Sequence, residues 1–133
     1  MLHVYYGSDR QGVRDAATNY SNTQMSPEST LTTIDAQNYA PGVIAAALGA
    51  SSLFGGDEWY VIDTLGDNTD LAQEVKDNLL AMSESTNTFI VLEGALLAAA
   101  KKAYAKHAAL IEEFTATKAE RFNTFAMADA LAN

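Results

Sequence analysis

The sequence contains no cysteine, so a disulfide framework and a thiolate metal site are both excluded. It also lacks an apolar run as long as a membrane span, since the longest weakly polar stretch covers only residues 43–54. The first residues have no basic region of the kind that opens a signal peptide, and their apolar run already ends at Gly7. These absences predict a soluble cytoplasmic protein without a membrane partner.

Basic residues are scarce, with 8 Lys and Arg against 17 Asp and Glu, for a net charge of −9. The acid excess lies in residues 1–93, whereas residues 94–133 are close to neutral. Because an acidic surface repels phosphate, nonspecific nucleic-acid binding is not expected. Any weak DNA contact would come from five basic residues, for which solvated helix faces are the favoured interpretation: Lys101, Lys102, Lys106, Lys118 and Arg121.

The 133 residues, 48% of them hydrophobic, are enough for one domain with a substantial core. Apolar runs typical of strands alternate with patterns typical of helices. The predicted strands cover residues 2–6, 30–35, 58–63, 88–93 and 110–114, and the predicted helices cover residues 10–20, 41–48, 66–82, 96–109 and 117–131. Apolar strands alternating with helices predict an α/β fold, a three-layer α/β/α sandwich with a mostly parallel five-stranded sheet and right-handed crossovers.

The turn after the first strand is where such folds bind phosphate groups. Gly7 and Gly12 have the spacing that opens the phosphate-binding loop G-x-x-x-x-G-K-[ST]. The two following positions depart from it, since Val13 replaces the lysine that binds phosphate and Arg14 replaces the hydroxyl that binds magnesium. The pattern predicts a P-loop-like architecture with a degenerate nucleotide site that is not expected to hold a nucleotide cofactor.

Other candidate chemistry in the sequence is thin. Asp63 ends the third predicted strand and is either a relic magnesium ligand or, as we favour, a cap for the following turn. Thr64 follows it, where an ATPase would usually place its water-activating acid. His3 and His107, without cysteine or clustered acids, do not form a metal signature. The sequence therefore predicts neither a metal site nor a catalytic centre.

Two large apolar side chains, Leu53 and Phe54, lie between an alanine-rich helical run and the third strand, followed by the flexible pair Gly55-Gly56. They fit either a local plug under the helix or a knob that docks into another protein. Each side chain is worth about 1.5–3 kcal/mol when fully buried. The pair is therefore large enough to act as a binding hot spot.

Three stretches in order along the chain carry a family resemblance: Tyr6-Gly7-Ser8-Asp9, the knob Ser52-Leu53-Phe54-Gly55-Gly56, and the lysine-containing helix before Leu110-Ile111-Glu112-Glu113-Phe114. Together they resemble the N-terminal domain of the delta subunit of bacterial DNA polymerase III, over nearly the whole chain. The resemblance implies an AAA-type clamp-loader domain that does not hydrolyse ATP and is accessory to the polymerase. It further implies that Ser52, Leu53 and Phe54 bind the sliding clamp (beta subunit) and help to open the ring.

The resemblance also bears on domain organisation. Family members continue into a lid domain and a helical collar, which this chain does not include, so residues 1–133 are expected to form a single clamp-binding domain. Contacts with other clamp-loader subunits would belong to a longer protein. The basic positions common in the helix after the fourth strand are diluted with alanine here, so DNA is expected only as an indirect partner.

Two alternatives remain open from the sequence. A small P-loop nucleotide-binding enzyme would bind ATP or GTP, and Val13 at the lysine position argues against it. A receiver-like signalling domain would use Asp63 as its phosphorylated aspartate. In that case the first strand would need paired acids where it has Tyr5-Tyr6-Gly7, and Glu93 stands where a hydroxyl is expected.

Overall fold

The computed structural model describes residues 1–49, 58–66 and 68–115. The strands are β1 (Leu2–Tyr6), β2 (Thr30–Ile34), β3 (Glu58–Asp63), β4 (Thr88–Glu93) and β5 (Leu110–Glu113). The helices are α1 (Arg10–Gln24), α2 (Val43–Leu48), α3 (Thr69–Asp77), α4 (Leu79–Glu84) and α5 (Ala98–His107). All five strands agree with the sequence prediction to within one residue. The predicted helix from Thr117 to Leu131 and the predicted helix-start residue Asp67 lie outside the described residues.

The five strands form one sheet in the order β2-β3-β4-β1-β5, and every neighbouring pair is parallel. Val4 in β1 is level with Val91 in β4 on one side and with Ile111 in β5 on the other. Residues of the two central strands β1 and β4 are almost all buried, as their continuous apolar runs predict. The predicted α/β class with a parallel five-stranded sheet is therefore confirmed.

The helices cover both faces of the sheet. One core cluster includes Val4, Tyr6 and apolar residues of α2, α3, α4 and α5, and the other includes Tyr5 with Val13 and Ala17 of α1. The connection from β1 to β2 crosses the sheet in one direction, whereas the later connections cross it in the other. With one crossover handedness, helix α1 must then lie on the opposite face from the other helices. The arrangement is consistent with the predicted three layers.

Strand β2 is much more exposed than β1 and β4. Four of its five residues are exposed and only Ile34 is buried, because β2 is an edge strand and α1 reaches it only in part. Its threonines fit this position, since β-branched polar residues suit a half-exposed pleated strand.

Helix boundaries differ more than strand boundaries. Helix α1 continues to Gln24, four residues beyond the prediction, and its buried face extends to Ser21. The single helix predicted over residues 66–82 is divided at Asn78, whose side chain donates to the carbonyl of Glu74 at 2.7 Å. Pro41 precedes α2 rather than occupying its first turn, because Gly42 is the N-cap with φ of 87°.

The predicted apolar stripe along the divided helix is nevertheless confirmed. Its four members all lie in the core: Leu71, Val75, Leu79 and Met82. The predicted helix 96–109 is shorter at both ends and begins at Ala98. Leu97 is its N-cap, and its side chain makes no capping hydrogen bond. A leucine side chain has no hydrogen-bond acceptor, so it leaves the first N–H groups of this helix without a side-chain cap.

Candidate functional site

The turn after β1 lies at the topological switch point of the sheet. Helix α1 leaves β1 on one face and α5 leaves the neighbouring strand β4 on the other, which is the usual place for a ligand crevice. Gly7 adopts φ of 139°, and a Cβ at this position would lie 1.9 Å from the carbonyl oxygen of Phe114. Its backbone N–H donates to the carbonyls of Glu93 and Gly94 at 3.3 and 3.2 Å. The first glycine of the loop is therefore required by the packing of β1 between its neighbours.

Asp9 occupies the N-terminus of α1. Its Oδ1 accepts a hydrogen bond of 3.0 Å from the backbone N–H of Gly12, so it caps the helix. A Cβ at Gly12 would lie 2.5 Å from the Oδ2 atom of Asp9. The second loop glycine thus leaves room for this carboxylate. A helix N-terminus is where a phosphate binds in a working loop, and here a carboxylate of the chain takes that position.

The two residues that depart from the phosphate-loop motif have different surroundings. Val13 is fully buried in the core cluster on the α1 face of the sheet. Arg14 reaches across to β3, where its Nε donates to Oδ2 of Asp63 at 3.2 Å. The guanidinium therefore forms an ion pair with the acid at the end of this strand.

Asp63 also caps the turn that follows β3. Its Oδ1 accepts from the backbone N–H of Leu65 at 2.9 Å, which confirms the capping interpretation. Beside it, a cavity of about 220 Å³ is lined by Arg14, Asp35 and Asp63 among others. Both carboxylate oxygens of Asp63 are thus engaged by groups of the chain itself.

A polar network at the end of β4 was not foreseen from the sequence. Glu93 accepts from the hydroxyl of Thr64 at 2.7 Å through one oxygen and from the hydroxyl of Tyr104 through the other. Tyr104 is 1% exposed, and burial together with the charge of Glu93 raises the pKa of its phenol far above the ordinary range. Tyr104 therefore stays protonated and acts as a hydrogen-bond donor. The network links the ends of β3 and β4 to α5.

The two adjacent glutamates of β5 do not share one site. Glu112 and Glu113 are level with Tyr5 and Tyr6 of β1, which belong to opposite core clusters. Four aromatic residues of β1 and β3 are core residues, each less than 9% exposed: Tyr5, Tyr6, Trp59 and Tyr60.

The predicted docking residues Ser52, Leu53 and Phe54 lie outside the described residues. The positions that flank this segment are tied together by Asn87. Its Nδ2 donates to the carbonyl of Ala47 at 3.2 Å, and its Oδ1 accepts from the backbone N–H of Glu58 at 3.3 Å. Asn87 is 5% exposed. One buried amide side chain therefore joins the end of α2 to the start of β3.

Helix α2, which leads into the same segment, is also held at its other end. Glu74 of α3 accepts from the backbone N–H groups of Gly42 and Ile44, at 3.1 and 2.8 Å, and from the hydroxyl of Tyr39 at 2.9 Å. Burial alone would raise the pKa of Glu74, but these hydrogen bonds outweigh it and lower the pKa. No local pattern indicates this cap, because the carboxylate comes from a different helix.

The lysines of α5 have two environments. Lys102 and Lys106 are exposed, as predicted for a solvated helix face. Lys101 is half-buried and its Nζ lies 5.7 Å from the ring centroid of Tyr6. The other predicted basic residues, Lys118 and Arg121, lie outside the described residues.

The histidines were not predicted to form a metal site. His3 is 6% exposed, its Nε2 lies 3.3 Å from the hydroxyl of Tyr20, and burial, aided by the charge of the amino terminus, lowers its pKa. Within residues 1–49, 58–66 and 68–115, no three His, Asp or Glu side chains gather as a metal site would require. Over the same ranges, every helix is too short or too polar to cross a bilayer.

Comparison with known proteins does not assign the chain. No protein-family model matches it, and no curated protein is significantly similar to it.

Proposed function

We propose that this chain is the clamp-binding domain of a clamp-loader subunit of the bacterial DNA polymerase III delta type. In this proposal Leu53 and Phe54, preceded by Ser52, dock into the sliding clamp and help to open the ring during DNA replication. The domain has an AAA-type architecture and does not itself hydrolyse ATP. Other clamp-loader subunits would bind the longer protein, and DNA would be an indirect partner.

The proposal rests mainly on two side chains that occupy the places where a bound phosphate and a bound magnesium ion would lie. The carboxylate of Asp9 lies at the N-terminus of α1, where a phosphate would accept the same hydrogen bonds. The guanidinium of Arg14 lies on Asp63, where a magnesium ion would otherwise be needed. A nucleotide with its magnesium ion would have to displace both the Asp9 carboxylate from the N-terminus of α1 and the Arg14 guanidinium from Asp63. An inactive subunit of an ATPase family fits this arrangement better than a working enzyme.

The strand order supports the architectural part of the proposal. The strand that carries the degenerate loop, β1, lies between β4 and β5, and β3 with its terminal acid is one strand further away. In flavodoxin-like and receiver domains the first strand lies beside the second, so this order disfavours the receiver alternative. Asp63 and the loop then belong to the same end of the sheet, and Arg14 can join them.

The fixed positions on either side of residues 50–57 support the proposal that Leu53 and Phe54 dock into a partner. A short segment can present two apolar side chains to a partner only if its ends are held, since ordering a free loop on binding costs affinity. Asn87 joins Ala47 to Glu58, and Glu74 caps the other end of α2. The chain on either side of the segment that contains Leu53 and Phe54 is therefore held at Ala47, at Glu58 and at the N-terminus of α2.

The test is binding of the chain to the immobilised beta sliding clamp of the same organism, with and without magnesium and ATP. We expect saturable binding of the same strength in both conditions, and no release of phosphate above the background of the clamp alone. Binding that requires ATP would favour the small nucleotide-binding enzyme. Absence of saturable binding would overturn the clamp-loader proposal.

A further inference from the structure

A groove that the proposed function does not use lies between α5 and the pair α3 and α4. It has a volume of about 380 Å³, and six of its seven lining residues are apolar. They include Leu79 of α4, the alanines Ala99, Ala100 and Ala103, and Leu97, which is 83% exposed. Exposed apolar surface that is gathered in a groove indicates a binding surface more strongly than scattered exposed residues do.

The helices that form this groove carry lysines, although the chain as a whole is acidic. In residues 1–49, 58–66 and 68–115 there are four lysines, one on α3 and three on α5: Lys76, Lys101, Lys102 and Lys106. Lys76 lines the groove itself, and Lys102 and Lys106 are exposed on α5. Among these described residues, no carboxylate oxygen lies within 4.0 Å of the Nζ atom of any of the four lysines. The ion pair found there joins Arg14 to Asp63. The nearest acid in sequence, Asp77, accepts a hydrogen bond from Gln73.

We propose that this groove binds an amphipathic α-helix of another protein, with its apolar stripe facing the alanines of α5 and acidic residues along its flanks. Short alanine side chains let a second helix backbone approach closely, and an apolar groove between helices is the usual receptor for such a helix. The unpaired lysines favour acidic flanks. This surface shares no residue with the segment 51–56, so the inference does not depend on the clamp proposal.

Two other occupants fit the observations less well. Duplex DNA would use the lysines, but its phosphates would gain nothing from six apolar lining residues. The C-terminal residues 116–133 of the same chain contain two basic and two acidic residues, so they offer the groove no excess of negative charge. An acidic helix of a partner satisfies both the apolar surface and the lysines.

The experiment uses the full chain and a synthetic helical peptide labelled with a fluorophore, followed by anisotropy. The probe has leucines at i, i+3, i+4 and i+7 and glutamates at the remaining positions. A scrambled peptide of the same composition and a version with lysines in place of the glutamates are the peptide controls. The variants are Leu97→Asp and Lys76→Glu. Leu80→Asp is the matched control, because Leu80 is 56% exposed and does not line the groove.

We expect the glutamate peptide alone to bind. Both groove variants should weaken binding by at least about tenfold, as hot-spot substitutions do, whereas Leu80→Asp should leave it unchanged. The effect of Lys76→Glu should shrink at high salt, because exposed charges are screened. Circular-dichroism melts of each variant identify any that is unfolded, and Ala103→Arg then serves as a second groove variant.

Three results would overturn the proposal. The scrambled peptide could bind as well as the ordered one, the control variant could lose binding as strongly as Leu97→Asp, or no peptide could bind the full chain. The last result would also arise if residues 116–133 filled the groove. Binding of a labelled DNA duplex that Lys76→Glu abolishes and Leu97→Asp leaves intact would assign the lysines to nucleic acid instead.

Discussion

Replacing Asn87 by alanine should strongly destabilise the protein, because this buried side chain makes hydrogen bonds to two backbone groups. The substitution removes the donor to the carbonyl of Ala47 and the acceptor for the N–H of Glu58. Asn87 is 5% exposed, so water does not readily replace the lost amide. The carbonyl of Ala47 and the N–H of Glu58 would each lose this hydrogen bond.

The expected magnitude follows from those two hydrogen bonds. Leaving a buried polar group unsatisfied costs about 1–3 kcal/mol. The two distances, 3.2 and 3.3 Å, are at the long end of the normal range, so we expect the lower half of that range for each. The free energy of unfolding should fall by about 2–4 kcal/mol in total. For a chain of this size that corresponds to a fall of roughly 8–16 °C in melting temperature.

Urea unfolding followed by circular dichroism measures this change. Asn22→Ala, at an exposed position of α1, is the polar control and should change stability by less than about 0.5 kcal/mol. Leu71→Ala, at a fully buried position of α3, is a control of similar destabilisation. Clamp affinity measured well below the melting transition should fall for Asn87→Ala and stay unchanged for Leu71→Ala. Stability within about 0.5 kcal/mol of wild type for Asn87→Ala would refute the reasoning.

Three further predictions concern the sheet and its caps. Gly7→Ala should lower the free energy of unfolding by more than about 2 kcal/mol in urea titrations, because of its φ of 139° and the contact with Phe114, whereas Gly49→Ala, where a Cβ would make only ordinary van der Waals contacts, should change little. Because the pKa of His3 is lowered in the folded state, the unfolded state binds more protons and stability should fall as pH drops below about 6.5; His3→Phe should flatten that slope, and an unchanged slope would contradict it. The pKa of Glu74 is also lowered in the folded state, so its contribution to the free energy of unfolding should be present above the ordinary carboxyl pKa. That contribution should be lost as pH falls through the pKa of the folded state. Glu74→Ala should therefore destabilise the protein at neutral pH and melt like wild type in acid.

The strands could be predicted from sequence because each is a local apolar run with a clear end. Gly7 ends β1, and Asp63 and Glu93 end β3 and β4 with a charge. The burial of β2 could not be predicted, because its position at the sheet edge depends on strand order rather than on its own residues. The division between α3 and α4 was missed because the stripe of buried residues continues through Asn78 without interruption.

The turn after β1 was predictable in its residue types and only partly in its contacts. The spacing of Gly7 and Gly12 and the identity of Val13 are local facts, and Asp9 as a helix cap follows from its type and position. The partner of Arg14 lies 49 residues away on another strand. The links of Glu93 to Thr64 and of Asn87 to Ala47 likewise join distant parts of the chain. Such contacts depend on the topology, and a single sequence does not state them.

The most direct test of the central claim is binding of Leu53→Ala/Phe54→Ala to the beta sliding clamp, with circular-dichroism melts of this variant and wild type. If both side chains are buried in the clamp, their loss removes about 3–6 kcal/mol of binding free energy, which is a weakening of more than about 100-fold. The account predicts this loss with a melting temperature close to that of wild type. Normal binding by the double variant, or its unfolding, would contradict the claim and make Leu53 and Phe54 residues of the domain's own core.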